Sequence, residues 1–331
     1  MAHILFKKIS SLENLFGAWR EFQRDKMQKS DVLEFAQKAE HHLLKLHQDL
    51  INYRYRHGQY IRFYVNDPKQ REISKACVRD RVLHHAICRV LTPIFEPRFI
   101  FDSYSSRKGK GTLAATERFE KFAWTLSQNN TKTVWVLKCD IKKFFDSIDH
   151  EILIKTISKN LPCQDTLSLL RNIIESFEVK SKKGLPLGNL TSQLLSNVYL
   201  DRLDQFVKRE PRVKYYIRYA DDILILDRDK RVLEEVFLQM SEFVQDNLQI
   251  KFHDHKTTFQ KWHNGIDVLG YISFPYHRVM RTKTVKRIFR RLEKAEGKLP
   301  VEKLRSVVAS YLGRLKHCRG KKLGGKVREY F

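Results

Sequence analysis

The strongest chemical signal in this sequence is a pair of adjacent carboxylates, Asp221 and Asp222, inside an apolar region. Residues 215–218 and 223–226 on either side are rich in β-branched and aromatic side chains, which predicts two strands joined by a tight Ala-Asp turn. Adjacent carboxylates repel each other unless a cation or a hydrogen-bond donor lies between them. A hard divalent ion with oxygen ligands is the natural occupant. The alternative is a solvated turn, because Asp is common in turns.

A third carboxylate follows a second predicted strand. Residues 133–139 have the apolar pattern of a largely buried strand, and Asp140 stands at its exit. Alone, Asp140 could simply cap the segment that follows. If it converges with Asp221 and Asp222 on adjacent strands, three acidic ligands can hold two Mg²⁺ ions about 3.5–4 Å apart, as in polymerases and nucleases. A nuclease therefore remains an alternative for this set of residues.

The charge of the chain favours a polyanionic partner. The 331 residues carry a net charge of +25, which raises the local concentration of nucleic acid and makes its binding salt-dependent. A basic membrane-surface protein is the competing interpretation. No apolar run of about 18 residues and no apolar leader at residues 1–8 are present, so we expect no membrane partner and a cytoplasmic protein. The five cysteines form no Cys-x-x-Cys pair, which predicts reduced thiols and no zinc site.

In their types and order, these segments resemble the sequence blocks of reverse transcriptases. Asp140 corresponds to the family's first catalytic block, and Tyr219 to Asp222 correspond to its Tyr-x-Asp-Asp box. The resemblance implies an α+β right-hand polymerase of fingers, palm and thumb, with an antiparallel palm sheet flanked by helices. It implies an RNA-directed DNA polymerase that uses an RNA template, an RNA–DNA duplex and dNTPs. Two Mg²⁺ ions, with Mn²⁺ as a substitute, would be held by Asp140, Asp221, Asp222 and the main-chain carbonyl of Ile141.

The domain order follows the same resemblance. We expect an N-terminal helical extension over 1–60, fingers over 61–135, a palm over 136–275 that includes the fingers/palm loop 181–193, and a basic helical thumb over 281–331. Helical spacing of apolar residues supports the first and last of these. From residue 281 onward the chain has 17 Lys and Arg against 4 Glu, as suits helices that follow the phosphates of a duplex. The last ten residues are expected to be disordered.

Nucleotide-binding roles are carried over from the family by position. The resemblance places Lys69 and Arg71 on the triphosphate, and Phe145 as an aromatic gate that excludes a ribose 2′-hydroxyl. Further contacts near the incoming nucleotide are implied for a set in two other blocks: Leu187, Gly188, Gln193 and Tyr219. Without the other blocks, Lys69 and Arg71 would be two solvated charges beside a turn, and one of Phe144 and Phe145 belongs to the core.

Other family roles fall on later or flanking residues. Lys256 is the candidate for protonating the departing pyrophosphate, although ordinary surface is the alternative for one Lys among many. Arg107 lies in a loop rich in Gly, hydroxyls and cations that suits phosphate contacts to the template. Gly270 and Tyr271 fall in the segment that resembles the primer-gripping hairpin.

The block at 184–193 departs from the commonest family pattern. Many members read Gln-Gly and end in Ser-Pro, whereas this chain reads Leu187-Gly188 and ends in Ser192-Gln193. The departure resembles the reverse transcriptases of diversity-generating retroelements, which copy RNA with frequent errors at adenines. That resemblance implies a small basic accessory protein and a structured retroelement RNA as partners. Retron-like, group II-like and host-defence enzymes remain alternatives, as does a non-catalytic RNA-binding scaffold on the same fold.

Overall fold

The computed structural model describes residues 2–66, 70–296 and 298–330, with side chains from residue 4 onward. The chain forms two compact units, each made of three segments. We call residues 1–101, 141–212 and 239–252 the helical unit, and residues 102–140, 213–238 and 253–331 the sheet unit. The boundaries predicted for fingers, palm and thumb stay a prediction.

The fold is α+β, with helices and antiparallel sheets as expected. The helices are α1 (Ala2–Ser10), α2 (Leu12–Gln23), α3 (Ser30–Gln37), α4 (Ala39–Ile51), α5 (Val78–Phe95), α6 (Thr112–Leu126), α7 (Phe144–Ser147), α8 (His150–Ser158), α9 (Gln164–Glu175), α10 (Leu190–Arg209), α11 (Lys230–Leu248), α12 (Thr282–Ala295), α13 (Val301–Leu315) and α14 (Lys321–Arg328). The strands are β1 (Ile61–Val65), β2 (Arg71–Lys75), β3 (Trp135–Asp140), β4 (Tyr216–Tyr219), β5 (Asp222–Asp227), β6 (Thr258–Lys261), β7 (Ile266–Val268), β8 (Tyr271–Ser273) and β9 (Arg278–Met280).

The helical unit is organised around α5, which packs against α2 and α10. Its apolar positions recur at helical spacing, and Val82, Leu83 and Leu91 are fully buried. The predicted N-terminal helices are present, and Ser11 caps α2 by accepting a hydrogen bond from the Asn14 amide at 3.2 Å. Strands β1 and β2 form a separate antiparallel hairpin in this unit. The turn predicted at 66–68 falls mostly outside the described residues.

The sheet unit contains a four-stranded antiparallel sheet in the order β4-β5-β3-β6 and a three-stranded sheet in the order β7-β8-β9. Buried side chains of β3 and β5 alternate with the pleat and pack with α6 into one apolar core. A second core joins the short sheet to α12, α13 and α14 through Leu292, Tyr311 and Val327. The expectation that the last ten residues are disordered is wrong, because α14 forms there and buries Val327.

Among the described residues, the helices include none that combines the length and the hydropathy needed to cross a bilayer.

Candidate active site

Strand pairing in the sheet unit brings the predicted carboxylates together. In the antiparallel register of β3 and β5, Asp140 lies directly opposite Asp222. Strands β4 and β5 are joined by a two-residue turn, because Tyr219 pairs with Asp222 and leaves only Ala220 and Asp221 between them. The hairpin predicted from the apolar runs is therefore confirmed, and Asp221 stands at its tip.

The turn is strained at Ala220, and the buried side chain of Arg218 supports it by a hydrogen bond. Ala220 has φ +52°, in the left-handed region that costs a residue with a Cβ about 1–2 kcal/mol. The guanidinium of Arg218 donates a hydrogen bond from Nη1 to the Ala220 carbonyl at 3.2 Å. Arg218 is the largest fully buried side chain described in the structure. Its backbone also pairs with residues 102–104, which lie along the outer edge of β4.

The carboxylates are held where water cannot fully solvate them. Burial raises the pKa of Asp221 to about 6, and repulsion from Asp140 adds to the shift. Burial also raises the pKa of Asp222, against the opposing effect of the Lys138 ammonium, while Asp140 adds to the increase and Lys256 opposes it. Positive charge close to these carboxylates would offset burial and mutual repulsion and would favour their ionised forms.

Lys256 supplies part of that charge. Its ammonium forms a salt bridge with the Asp140 carboxylate. A short 3₁₀ turn at Asp254–Lys256 presents it, and the His253 amide anchors this turn by donating to the Asp140 main-chain carbonyl at 2.7 Å. Lys256, predicted only as a weak candidate, is thus in direct contact with a catalytic-block carboxylate.

The three carboxylates fit a hard divalent cation by donor type and by their need for positive charge. Within the described ranges, no three His, Cys, Asp or Glu side chains are arranged so as to enclose a metal ion. Asp140 is turned to the Lys256 ammonium in this arrangement. Ile141, whose carbonyl was predicted to share in metal binding, is buried and forms a β-bridge with Phe252.

Several predicted nucleotide-binding residues lie close together in the helical unit. The Leu187 carbonyl accepts a hydrogen bond from the Ser74 amide of β2 at 3.2 Å, and the Leu185 amide donates to the Phe145 carbonyl at 2.8 Å. The loop at 185–188 therefore joins β2 to α7. Phe145 is half-buried, whereas its neighbour Phe144 is buried, so Phe144 is the core member of the pair.

Gly188 lies close to β2. Gly188 has φ +109°, and a Cβ at this position would lie 3.0 Å from Cγ2 of Ile73. Arg71 is two residues before Ile73 on β2 and so shares its face of the strand. Arg71 and Gln193 are exposed, while Lys69 lies outside the described residues.

The remaining predicted residues lie in the sheet unit. Burial, followed by the charge of Asp222, raises the pKa of Tyr219, which packs on the apolar core beneath the hairpin. Arg107 donates from Nη1 to the Ser103 carbonyl at 2.8 Å, within the loop whose start pairs with Arg218.

Gly270 lies in the β7–β8 turn, and Tyr271 begins β8. Leu269 and Gly270 both have positive φ, +50° and +103°, as a tight hairpin turn demands. Nothing lies within 4 Å of a Cβ built on Gly270, so its backbone is open on that side. Tyr271 is buried and donates from its hydroxyl to the Arg314 carbonyl at 3.1 Å, which makes its side chain a link to α13.

Sequence reasoning missed four charged residues at or near this site: Lys138, Arg218, Asp267 and Arg281. Lys138 donates from Nζ to the Asp267 carbonyl at 2.7 Å, and Asp267 forms a salt bridge with Arg281. Arg218 supports the turn from the core. Charged residues in otherwise apolar strands, as at positions 138 and 218, were the available signal.

The comparisons with known proteins agree with this geometry. Residues 66–273 match the reverse transcriptase (RNA-dependent DNA polymerase) family. The match covers well over half of the chain, which therefore belongs to that family.

Relatives with curated descriptions are distant in sequence. Protein YkfC of Escherichia coli is 24% identical over 290 residues, covering 75% of this chain and 73% of that protein. The group II intron-encoded protein LtrA of Lactococcus lactis is 23% identical over 297 residues, covering 68% of this chain and 48% of that protein. The putative COX1/OXI3 intron 2 protein of Saccharomyces cerevisiae is 21% identical, covering 72% of this chain and 34% of that protein. This chain thus spans less than half of either intron protein.

Solved structures show the same fold. Apo telomerase from Candida tropicalis matches with a TM-score of 0.53 at 11% identity, covering 78% of this chain and 53% of that one. Telomerase from Candida albicans, in complex with a fragment of telomeric RNA, matches with a TM-score of 0.51 at 12% identity, covering 84% of this chain and 56% of that one. The predicted right-hand polymerase fold is confirmed.

Proposed function

We propose that this protein is an RNA-directed DNA polymerase that synthesises cDNA by two-metal nucleotidyl transfer. The observation that carries the proposal is the register that sets Asp140 opposite Asp222 with Asp221 at the hairpin tip, in a chain of the reverse transcriptase family. The raised pKa of Asp221 supports it, because the cluster needs positive charge beyond that of Lys256.

In this proposal Asp140, Asp221, Asp222 and the Ile141 carbonyl bind Mg²⁺, or Mn²⁺ in its place. When bound, the ions supply a lowered pKa for the primer 3′-hydroxyl and neutralise charge on the leaving pyrophosphate. Lys256 exchanges its salt bridge with Asp140 for the pyrophosphate and protonates it. Its present contact with Asp140 places its ammonium at the carboxylates, as that role requires.

A second set of residues provides nucleotide selection. We propose that Arg71 binds the triphosphate, since a guanidinium can contact phosphate through two donors at once. Phe145 excludes ribonucleotides, and the loop of Leu187 and Gly188 packs against the nascent base pair. The backbone bonds that join β2, this loop and α7 support a common task for these residues.

Primer extension tests the activity. A DNA primer on an RNA template, with Mg²⁺ and dNTPs, should be extended by wild type and not by Asp221→Asn. Asp227→Asn is the matched control, because Asp227 lies at the other end of the same strand, opposite Trp135. Equal extension by both variants would remove the carboxylates from the mechanism. Absence of extension by wild type, even with cognate RNA and accessory protein, would favour the RNA-binding scaffold.

Within this class we propose an error-prone enzyme of a diversity-generating retroelement. Leu187 replaces an amide side chain, and it lies half-buried where the loop meets β2. A pocket without that polar contact discriminates less between paired and mispaired bases. The expected partners are a template RNA, a small basic accessory protein and a structured retroelement RNA, in the cytoplasm. Unchanged errors opposite template adenines in Leu187→Gln would contradict this assignment.

A group II intron-like reverse transcriptase is the second candidate, because intron-encoded proteins are among the relatives. Faithful copying of adenines by wild type would favour it. A template repeat paired with a variable repeat in the neighbouring DNA would favour the diversity-generating assignment.

A further inference from the structure

The sheet unit contains a cavity of about 680 Å³ that has no role in the proposed polymerase chemistry. It lies between the end of α6, the turn that joins β8 to β9, and the segment that joins α13 to α14. We call it the hairpin cavity. The β8–β9 turn that borders the cavity lies at one end of β8, and the Leu269–Gly270 turn lies at the other end. Its volume is within the range of pockets that hold small organic groups.

The walls of the hairpin cavity are fixed by the local structure. Gly265 has φ +83°, and a Cβ there would lie 2.5 Å from the Phe274 ring. Only glycine at position 265 therefore allows the ring to occupy this position. Phe274 and His277 stack with ring centroids 5.0 Å apart, and the Phe274 amide donates to the His277 carbonyl at 2.8 Å. The Asn130 side chain also donates to the Pro275 carbonyl at 3.2 Å.

Large aromatic faces are exposed around the cavity. Tyr276 is 80% exposed and Trp124 is 44% exposed. Aromatic side chains gain most of their energy from burial, so such exposure is typical of a surface that a ligand covers. Trp262, by contrast, is buried beneath and donates towards the Ser273 hydroxyl at 3.4 Å.

The cavity walls combine cationic side chains with a buried carboxylate, and this combination restricts which ligands can bind. Lys121, Lys316 and Arg319 line the cavity with exposed cationic side chains. Deeper, Nη1 of Arg278 forms an ion pair with Oε2 of Glu120 at 3.4 Å, while Oε1 of Glu120 is buried with no hydrogen-bond partner in the described structure. A buried acceptor without a donor is costly, and the donor groups on a ligand edge would satisfy it. Glu120 also disfavours a bare anion at the same depth.

A nucleotide combines the required features, since it has a flat base with donors and acceptors on its edge and a phosphate at its periphery. Bases stack on aromatic side chains, while cations follow the backbone, and this is how single strands are bound without a duplex. We propose that the hairpin cavity binds single-stranded RNA, with a base stacked at Trp124 and Tyr276 and its phosphates at the surrounding cations. The choice of RNA over DNA rests on the proposed function.

Photo-crosslinking and affinity measurements on the full chain test this inference. The probe is a single-stranded oligouridylate of about ten nucleotides that carries 4-thiouridine, compared with its deoxy counterpart. We expect crosslinks at Trp124 or Tyr276, and affinity about 5-fold or more weaker in the double variant Trp124→Ala/Tyr276→Ala. Phe101→Ala is the matched control, because Phe101 is also a strongly exposed aromatic residue but belongs to the helical unit.

A second variant guards against loss of folding. Lys316→Ser/Arg319→Ser changes only exposed side chains and should weaken binding of the same probe, whereas Lys159→Ser on the helical unit should not. Unchanged affinity in both cavity variants, or crosslinks only elsewhere, would overturn the proposal. Equal affinity for RNA and DNA would overturn the assignment to RNA. Cavity crosslinks in a protein that extends no primer would refute the proposed polymerase while leaving this inference standing.

Discussion

Replacing Asp221 by Asn should stabilise the metal-free protein while it abolishes polymerase activity. Burial and the charge of Asp140 raise the pKa of Asp221 from 3.8 to about 6. Each pKa unit corresponds to about 1.4 kcal/mol, so the ionised carboxylate costs the folded state at most about 3 kcal/mol at neutral pH. Asn keeps the shape of Asp and carries no charge, so the variant recovers this energy.

The stability difference between Asp221→Asn and wild type should depend on pH in a defined direction. Asp221 holds its proton to higher pH when folded, so the folded state binds more protons than the unfolded state between about pH 4 and pH 6. The cost of ionisation is therefore absent below about pH 4, grows through this window, and is complete above about pH 6. The advantage of the variant over wild type should follow the same course.

Urea denaturation in the presence of a chelator measures this difference. Unfolding free energies of wild type, Asp221→Asn and Asp227→Asn are compared at several pH values between about 4 and 8. Adding Mg²⁺ should then raise the stability of wild type more than that of Asp221→Asn, because ligands stabilise the state that binds them. Equal or lower stability of Asp221→Asn at pH 8 would refute the claim that burial and the charge of Asp140 make the ionised Asp221 carboxylate costly in the folded state.

Three further outcomes follow from other features of the chain. Gly270→Ala should destabilise the protein by about 1–2 kcal/mol, because φ +103° is strained for alanine even in open space. Gly313→Ala, in open space on α13, should stabilise the protein by about 0.5–1 kcal/mol. Equal effects of the two variants in urea denaturation would contradict the claim that the positive φ of Gly270 is what disfavours alanine. Burial lowers the pKa of His84 to about 3, so its neutral form contributes stability above about pH 6.5 that is lost as the pH falls towards 3; a parallel loss of stability in His84→Gln would exclude this residue as the cause. Affinity for an RNA–DNA duplex should fall by roughly 10³-fold between about 50 and about 200 mM salt if six or more phosphates are neutralised, and a flat response in fluorescence anisotropy would contradict an electrostatic interface.

The site could be located from sequence because strand pairing has a period of two and a register fixed by short turns. Apolar runs on both sides of Ala220 and Asp221 leave room for only a tight turn, and a buried strand before Asp140 leaves it at the same end of the sheet. Helical spacing of apolar residues likewise predicted the helices of the N-terminal segment and the first two helices after residue 281. These elements depend on local pattern, which a single sequence contains.

Other features depend on contacts between distant segments and were not predictable. The helix at Lys321–Arg328 contains two glycines, which disfavour a helix locally, but it is stabilised by burying Val327 against α13. Tyr271 was predicted to contact the primer, yet whether its side chain is exposed depends on where α13 packs. The hairpin cavity likewise joins three segments that are far apart in sequence.

Arg218 shows how the sheet supports the turn at Ala220 and Asp221. A buried guanidinium is costly unless it is hydrogen-bonded, and a turn with alanine at positive φ is costly unless neighbouring contacts hold it. The hydrogen bond from Arg218 to the Ala220 carbonyl contributes to both needs, and it fixes the residue directly before Asp221. Because Arg218 is itself held by backbone pairing with residues 102–104, the position of Asp221 depends on the whole edge of the sheet.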